Sequence, residues 1–270
     1  ADQTLAERAW VARVNAALRD IAGGQVAKIV LARQRRLEGE RPPAAGRLLE
    51  ALGTQQPDSL IYAHGNGPTV FLGATPERLI RLSGRQIATD ALAGTAWPGS
   101  PDLDAPKNRH EQSLVVDAIL GALAGLCSTP PQAGPVEIRQ AGSVAHLRSR
   151  IAGTAAAGVT LFDLLRALHP TPAVGGFPGP AALDWLARHG EQRGAWYSGG
   201  FGSLAASGDG EFAVALRSAL LTAGGIELHA GAGIVAGSTP QQELAETEAK
   251  FGTLLAALAA RQEKLQKALG

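Results

Sequence analysis

Strand-like segments occur in this sequence as hairpin-like groups, and this grouping constrains the fold more than any other feature. Residues 59–94 alternate apolar and polar positions around turn residues at Asn66-Gly67 and Ser83-Gly84, which predicts an antiparallel meander. Residues 136–155 predict further strands, and residues 195–235 predict three more. Because no helix separates successive strands within these groups, the pattern favours antiparallel sheets.

Helical periodicity marks the segments between these groups. Apolar residues recur there at intervals of three and four, and glycine or proline often marks an end. The sequence therefore predicts an α+β fold, in which antiparallel sheets form a central core with helices packed outside. The predicted helices cover residues 4–22, 107–125, 161–168, 181–190 and 239–269, with a further strand at 27–37 and a surface loop at 128–135.

Composition narrows the possible partners. Lys and Arg number 25 against 24 Asp and Glu, so no basic excess favours nucleic acid or an anionic membrane. The single cysteine, Cys127, cannot form an intramolecular disulfide and fits a reducing cytoplasm. No apolar run approaches the length of a membrane span. We expect one domain over residues 1–270, acting as a cytoplasmic monomer, and the lack of methionine indicates a processed or truncated N-terminus.

The stretch "GAGIVAGSTPQQELAETEAK" resembles a dinucleotide-binding loop at its start. Gly231, Gly233 and Gly237 have suitable spacing, but that motif requires the helix to begin within the glycines. Here Thr239 is a good N-cap and Pro240 suits the first helical position. The helix therefore starts too late, and the glycines favour a strand or turn over a dinucleotide site.

Two helices are predicted to direct glutamates inward from their first turns. Glu243, Glu246 and Lys250 share a helical face with the apolar residues that follow them, and Glu111 shares one with apolar residues of its own helix. The alternative is a solvated acidic face near a helix start. Since buried carboxylates need partners, the pattern favours an oxygen-ligand cation site, and these hard ligands favour Mg²⁺ over zinc.

Four single residues are further candidates. Lys28 opens an apolar strand, although a lysine there often extends its charge to solvent. Glu77 follows Pro76 and could be an ordinary turn residue. His146 lies in an alternating strand and could be a hydrogen-bonded core histidine. Arg217 lies within "FAVALRSAL", where its charge is costly without an anion, so it indicates an acidic ligand.

Taken in order, these segments resemble the chorismate-utilising enzymes, which include isochorismate synthase, salicylate synthase, anthranilate synthase component I and aminodeoxychorismate synthase. The resemblance runs from about residue 25 to 255. Family members are longer, and roughly their first third has no counterpart here. The matching segments are "KIVLAR", "FLGATPERLIR", "LAGT", "NRHEQSLVVDAI", "VAHLRSRIAG", "LHPTPAVGGFP", "YSGGFG", "FAVALRSALL" and "AGAGIVAGSTPQQELAETEAK".

Within the family, the chain is most similar to isochorismate synthases. Lys28 heads the "KIVLAR" strand, as in isochorismate and salicylate synthases, whereas anthranilate synthases lack that lysine. Ala93 stands where aminodeoxychorismate synthases carry a nucleophilic lysine. The segment "LHPTPA", which ends at Ala173, resembles isochorismate synthases, since salicylate synthases tend to differ at its last residue.

The resemblance implies a Mg²⁺-dependent conversion of chorismate to isochorismate. Lys28 would be the general base that activates water for attack at C2, and Glu77 the general acid that protonates the departing C4 hydroxyl, which requires a raised Glu77 pKa. Glu111 and Glu246 would ligate Mg²⁺, and Glu243 would hold its waters. The substrate-binding residues implied are Gly94, Thr95, His146, Ala173, Tyr197, Arg217, Gly231, Gly233 and Lys250.

Three alternatives stay open at this point. A salicylate synthase would use the same groups and then eliminate pyruvate. A non-catalytic chorismate-binding domain would keep the binding residues without turnover. A generic metal-binding α+β protein would need only the inward glutamates.

Overall fold

The computed structural model describes residues 3–37 and 42–269 of the chain, with side chains described for 4–37 and 42–259. Helices and strands occur in the groups that the sequence predicts. The helices are α1 (Gln3–Ala22), α2 (Ala45–Gln55), α3 (Pro106–Ala124), α4 (Leu161–Leu168), α5 (Gly179–Arg188) and α6 (Pro240–Leu269). The strands are β1 (Lys28–Leu37), β2 (Leu60–Asn66), β3 (Thr69–Thr75), β4 (Arg78–Ser83), β5 (Gln86–Ala96), β6 (Gln132–Ala141), β7 (Val144–Thr154), β8 (Gly176–Phe177), β9 (Gly200–Leu204), β10 (Gly210–Val214), β11 (Ser218–Thr222) and β12 (Gly225–Val235).

The strands form two six-stranded antiparallel sheets, which confirms the predicted α+β class. The first sheet has the order β2-β3-β11-β12-β1-β8, and the second has the order β6-β7-β5-β4-β10-β9. One core joins the second sheet to α3 and α4. A second core joins the first sheet to α2 and α6, and a third joins it to α1 and α5. Helices thus cover both sheets, as the sequence predicts.

Alternation along the central strands of the first sheet decides which residues face the second sheet. Ile29 and Leu31 of β1 pack with α1 and α5. Because successive side chains of a strand point to opposite faces, Lys28 points the other way, and so do Gly231 and Gly233 of β12. These three residues line one cavity together with residues of the second sheet.

The predicted meander at residues 59–94 is wrong in one respect, because its strands belong to two sheets. β2 and β3 form a hairpin of the first sheet, whereas β4 and β5 form a hairpin of the second. The link between Thr75 and Arg78 contains Pro76 and Glu77, and it carries the chain from one sheet to the other. Alternating hydrophobicity does not reveal this change, since both hairpins follow the same pattern.

The three strands predicted over residues 195–235 are four, because the chain changes sheets again near Arg217. β10 belongs to the second sheet and β11 to the first. Arg217 adopts a positive φ of 50°, which ends one strand and redirects the backbone into the next. The Tyr62 hydroxyl donates a hydrogen bond of 3.0 Å to the Leu216 carbonyl oxygen and supports this bend.

The two links between the sheets lie side by side. Val214 N donates to the Glu77 carbonyl oxygen at 3.1 Å, and Ala74 N donates to the Arg217 carbonyl oxygen at 3.2 Å. A carbonyl oxygen of each link is therefore satisfied by a backbone N–H of the strand that leads into the other link. We call Pro76–Glu77 and 215–217 the paired links.

Other boundaries differ locally from prediction. The first four residues of the predicted loop 128–135 precede β6, which begins at Gln132. The sequence analysis missed α2, whose N-cap Ala44 provides no side-chain hydrogen bond. The late start of α6 is confirmed, since Thr239 Oγ1 accepts a hydrogen bond of 3.4 Å from Gln242 N. Among the described residues, no helix is long and apolar enough to cross a membrane.

Candidate active site

A cavity lies between the two sheets, beside the paired links. Its volume is about 50 Å³, far below the roughly 300 Å³ of a typical small-molecule pocket. Long cationic side chains line it, so a ligand can enter only if some of them move. The predicted site residues along its walls are Lys28, Glu77, Gly94, Thr95, Glu111, His146, Ala173, Tyr197, Arg217, Gly231, Gly233 and Lys250.

Lys28 is buried at the start of β1, and its side chain is 1% exposed. Its Nζ atom lies 2.9 Å from Glu111 Oε1 of α3. Gly233 of β12 makes this contact possible, because a Cβ atom there would collide with Glu111 Oε1 and lie 2.7 Å from Lys28 Cε. The glycine therefore allows a lysine and a glutamate from different elements to meet above the strand.

Gly231 makes a second close approach. A Cβ atom on Gly231 would lie 2.8 Å from the Tyr197 hydroxyl, so the phenol group rests over this glycine. Burial raises the pKa of Tyr197 to about 12, and its hydroxyl stays protonated as a hydrogen-bond donor. Arg193 holds Ser198, the residue after Tyr197, because its guanidinium group donates one hydrogen bond of 3.0 Å to Ser198 Oγ and another of 2.9 Å to the Val30 carbonyl oxygen.

Glu77 lies on the first paired link and is 3% exposed. Burial raises its pKa to about 7, although the nearby Lys28 charge opposes the rise. Thr171 Oγ1 donates a long hydrogen bond of 3.4 Å to Glu77 Oε1. A carboxyl group with this pKa is protonated about half of the time at neutral pH, as a general acid requires.

Arg217 lies on the second paired link and is 7% exposed. Its Nη2 donates to His146 Nε2 at 2.6 Å, and His146 Nδ1 donates to the Gly94 carbonyl oxygen at 3.0 Å. Burial and the adjacent Arg217 charge lower the pKa of His146 well below its usual value, so the imidazole is neutral. Arg217 Nε is buried without a hydrogen-bond partner in the described part of the chain, which leaves one donor for an anionic ligand.

Three buried glutamates meet beside this cavity, which confirms that the acids of α3 and α6 face inward. Glu111, Glu243 and Glu246 are 5%, 1% and 4% exposed. Lys250 Nζ donates to Glu246 Oε1 at 2.6 Å and to the Gly231 carbonyl oxygen at 2.8 Å. Thr95 Oγ1 donates to the same Glu246 oxygen at 3.1 Å. The alternative of a solvated acidic face is therefore wrong.

Lys107 of α3 completes this cluster. Its Nζ lies 2.9 Å from Glu243 Oε1 and 3.6 Å from Glu111 Oε2. Burial and the neighbouring Glu246 charge raise the pKa of Glu243. Burial also disfavours the Glu111 carboxylate, but the Lys28 and Lys107 charges outweigh burial and lower its pKa.

The chemistry of these donors fits a hard cation such as Mg²⁺. All three side chains supply carboxylate oxygens, the ligands that Mg²⁺ prefers. Within residues 4–37 and 42–259, no three Asp, Glu, His or Cys side chains are grouped so that they could hold a metal ion as they stand. Ammonium groups lie among the carboxylates instead.

The sequence analysis did not identify three residues of this region. Lys107 lies one helical turn before Glu111, a spacing that indicates an ion pair. Thr171 lies within the segment "LHPTPA", which the resemblance had already selected. Arg193 lies in a segment without periodicity, and no sequence signal identifies it.

The chain is similar in sequence to proteins of a known family. Residues 1–259 match the family described as "Chorismate binding enzyme". The salicylate biosynthesis isochorismate synthase of Pseudomonas aeruginosa is 41% identical over 265 residues, which cover 94% of this chain and 55% of that protein. The chain thus spans little more than half the length of this relative.

Solved structures agree with the sequence comparison. An isochorismate synthase from Bacillus anthracis, described as specific for 2,3-dihydroxybenzoate, superimposes with a TM-score of 0.86 at 30% identity, over 94% of this chain and 72% of that one. The menaquinone-specific isochorismate synthase of Escherichia coli gives a TM-score of 0.82 at 33% identity, over 93% and 61%. The chain therefore belongs to the family of chorismate-binding enzymes.

Proposed function

We propose that this chain converts chorismate to isochorismate. The observation that carries the proposal is that one cavity is lined by both a buried lysine, Lys28, and a buried carboxyl group, Glu77. Burial raises the pKa of Glu77 to about 7. A base and an acid of this kind suit a reaction that adds water at one carbon and removes hydroxide from another. The family and the names of its relatives support the choice of substrate.

The proposed reaction begins with water activated by Lys28. As the free amine, Lys28 takes one proton from water while the oxygen bonds to C2 of chorismate. The ring double bonds shift and the C4–O bond breaks. Glu77 gives its proton to the departing hydroxyl group, which leaves as water. One water is consumed and one is released, so the reaction is an isomerisation and is reversible.

Other side chains would orient the substrate. Arg217 and Tyr197 would hold the enolpyruvyl carboxylate, since Arg217 Nε donates no hydrogen bond to any described residue and Tyr197 keeps its proton. Neutral His146 would lie beside the ring carboxylate. Because Arg217 Nη2 is bonded to His146, a change at either residue would affect both ends of this arrangement.

The glutamate cluster would hold Mg²⁺. Glu111 and Glu246 would be direct ligands, and Glu243 would hold water bound to the ion. When bound, Mg²⁺ would neutralise the ring carboxylate of chorismate. Lys28 now contacts Glu111 at 2.9 Å, and this contact has to loosen before its amine can act as a base.

A product assay tests the proposal. The 270-residue chain is incubated with chorismate, with and without Mg²⁺, and the products are separated by chromatography. We expect isochorismate with Mg²⁺ and none from the Lys28→Ala and Glu77→Gln variants. Arg188→Gln, which removes an exposed charge of α5 that pairs with exposed Asp184, serves as a variant that should keep full activity.

Other results would select an alternative. Fluorescent salicylate and pyruvate accumulating without a second enzyme would identify a salicylate synthase. Chorismate binding in calorimetry without any product would identify a binding domain. The observation behind the salicylate alternative is the name of the Pseudomonas aeruginosa relative, an isochorismate synthase of salicylate biosynthesis.

A further inference from the structure

Lys107 holds an unusual position, because its ammonium group lies between carboxylates of two different helices. Nζ lies 2.9 Å from Glu243 Oε1 of α6 and 3.6 Å from Glu111 Oε2 of α3. The carboxylate side chains are 1% and 7% exposed, whereas the Lys107 side chain is 22% exposed. The Lys107 side chain is therefore partly accessible to solvent, although its ammonium group lies against buried carboxylates.

The site needs a cation in this position. Glu111 and Glu243 are buried, and unpaired carboxylates would repel one another in a region from which water is largely excluded. Lys107 Nζ lies within hydrogen-bond distance of Glu243 Oε1, and the neutral Ser238 side chain also interacts with the Glu243 carboxylate. The Lys107 charge is thus the nearest compensation for Glu243.

The other two lysines of the site are held more firmly. Lys28 is 1% exposed and is in contact with Glu111. Lys250 donates both to Glu246 and to the Gly231 carbonyl oxygen. Lys107 has a more exposed side chain and, as the second residue of α3, it can turn toward solvent without breaking the helix.

We propose that Lys107 is a built-in counter-ion that Mg²⁺ must displace from between Glu111 and Glu243. The proposal rests on the proposed function only in taking Mg²⁺ as the incoming cation. Without metal, the ammonium group keeps the two helices together. When Mg²⁺ binds, the ammonium group turns outward, so the presence of Lys107 weakens the apparent affinity for Mg²⁺. When Mg²⁺ is absent, the ammonium group offsets the repulsion between the buried carboxylates.

Removal of the charge tests this role directly. Lys107→Met keeps the aliphatic side chain and loses the ammonium group. Calorimetric titration with MgCl₂, without chorismate, should show that Lys107→Met binds Mg²⁺ at least about fivefold more tightly than the unchanged chain. This factor corresponds to the loss of repulsion from one unit charge about 4 Å away at a water-like dielectric constant. Without Mg²⁺ the variant should melt at a lower temperature, and Mg²⁺ should raise its melting temperature more.

Two variants serve as controls. Lys107→Arg retains the charge and should not bind Mg²⁺ more tightly. Arg109→Gln removes a cation from the same helix that pairs with exposed Asp104, and Mg²⁺ affinity should not change. Equal or weaker Mg²⁺ binding by Lys107→Met would overturn the proposal.

A measurement on the unchanged chain covers the case in which Lys107→Met fails to fold. Lysines are acetylated by a brief pulse of an amine-reactive ester at increasing MgCl₂, and each site is quantified by mass spectrometry. Reactivity of Lys107 should rise over the same concentrations at which calorimetry shows binding, while Lys28 stays protected. Constant or falling reactivity at Lys107 would reject displacement. No calorimetric binding at all would instead reject the Mg²⁺ site of the proposed function.

Discussion

Replacement of Glu77 by glutamine should stabilise the protein at alkaline pH even though it removes a proposed catalytic group. In the folded chain, burial raises the Glu77 pKa from 4.5 to about 7. The folded state therefore binds this proton more tightly than the unfolded state does. The resulting stabilisation is complete below pH 4.5 and is lost as pH rises through 7.

The size of the effect follows from the two pKa values. A rise from 4.5 to about 7 corresponds to about 3 kcal/mol of stability lost between acid and pH 8. Glutamine has no proton to lose, so the variant should not carry this cost. Relative to the unchanged chain, Glu77→Gln should therefore gain about 2.5 kcal/mol on going from pH 5 to pH 8, because a small part of the stabilisation is already lost at pH 5.

Urea denaturation at pH 5, 6, 7 and 8, without Mg²⁺ or chorismate, measures this difference. Glu248→Gln is the matched control, because Glu248 is a half-exposed carboxylate paired with Arg33 and Arg35, and its effect should vary little over this range. If the stability difference between Glu77→Gln and the unchanged chain stayed constant from pH 5 to 8, the assignment of a raised Glu77 pKa would be refuted.

Three further substitutions give distinct outcomes. Lys28→Ala should abolish turnover without weakening Mg²⁺ binding in calorimetry, since Lys28 competes for the Glu111 carboxylate; lost metal binding would contradict its role as a base. Glu246→Gln should weaken Mg²⁺ binding by about tenfold or more, and unchanged affinity would remove Glu246 from the ligands. Gly233→Ala should lower kcat at least about tenfold, because its Cβ would collide with both Lys28 and Glu111 and displace the proposed base and the proposed Mg²⁺ ligand from their positions; steady-state rates near those of the unchanged chain would show that this close approach is unimportant.

The sequence predicts the parts of the site that depend on local periodicity. The α-helical spacing of Glu243 and Glu246 correctly predicts that both face inward. The position of Thr239 and Pro240 correctly predicts where α6 begins, and this excludes a glycine-rich phosphate loop. Each of these features is decided within one or two turns of chain, where sequence patterns carry most information.

Features that depend on long-range packing could not be predicted in this way. Nothing in the residues around Glu77 shows that β3 and β4 lie in different sheets, because both hairpins have the same alternation. The positive φ of Arg217 has no sequence signal, since glycine is the usual residue there. The spacing of Lys107 and Glu111 indicates an ion pair within α3, but only the position of α6 places Glu243 beside Lys107.

The paired links have a consequence for how catalytic geometry is maintained. The Glu77 carbonyl oxygen accepts a hydrogen bond from Val214 N and the Arg217 carbonyl oxygen accepts one from Ala74 N, so each link is bonded to the strand that leads into the other. Lys28, in contrast, belongs to a regular strand of the first sheet. Glu77, the proposed proton donor, and Arg217, the proposed carboxylate anchor, are therefore held in a fixed relation to each other where the chain passes between the two sheets. The distance from these two residues to Lys28, the proposed base, depends on how closely the two sheets pack against each other. A substitution in a hydrophobic core far from the cavity could therefore change the rate of the proposed reaction without altering any residue of the site.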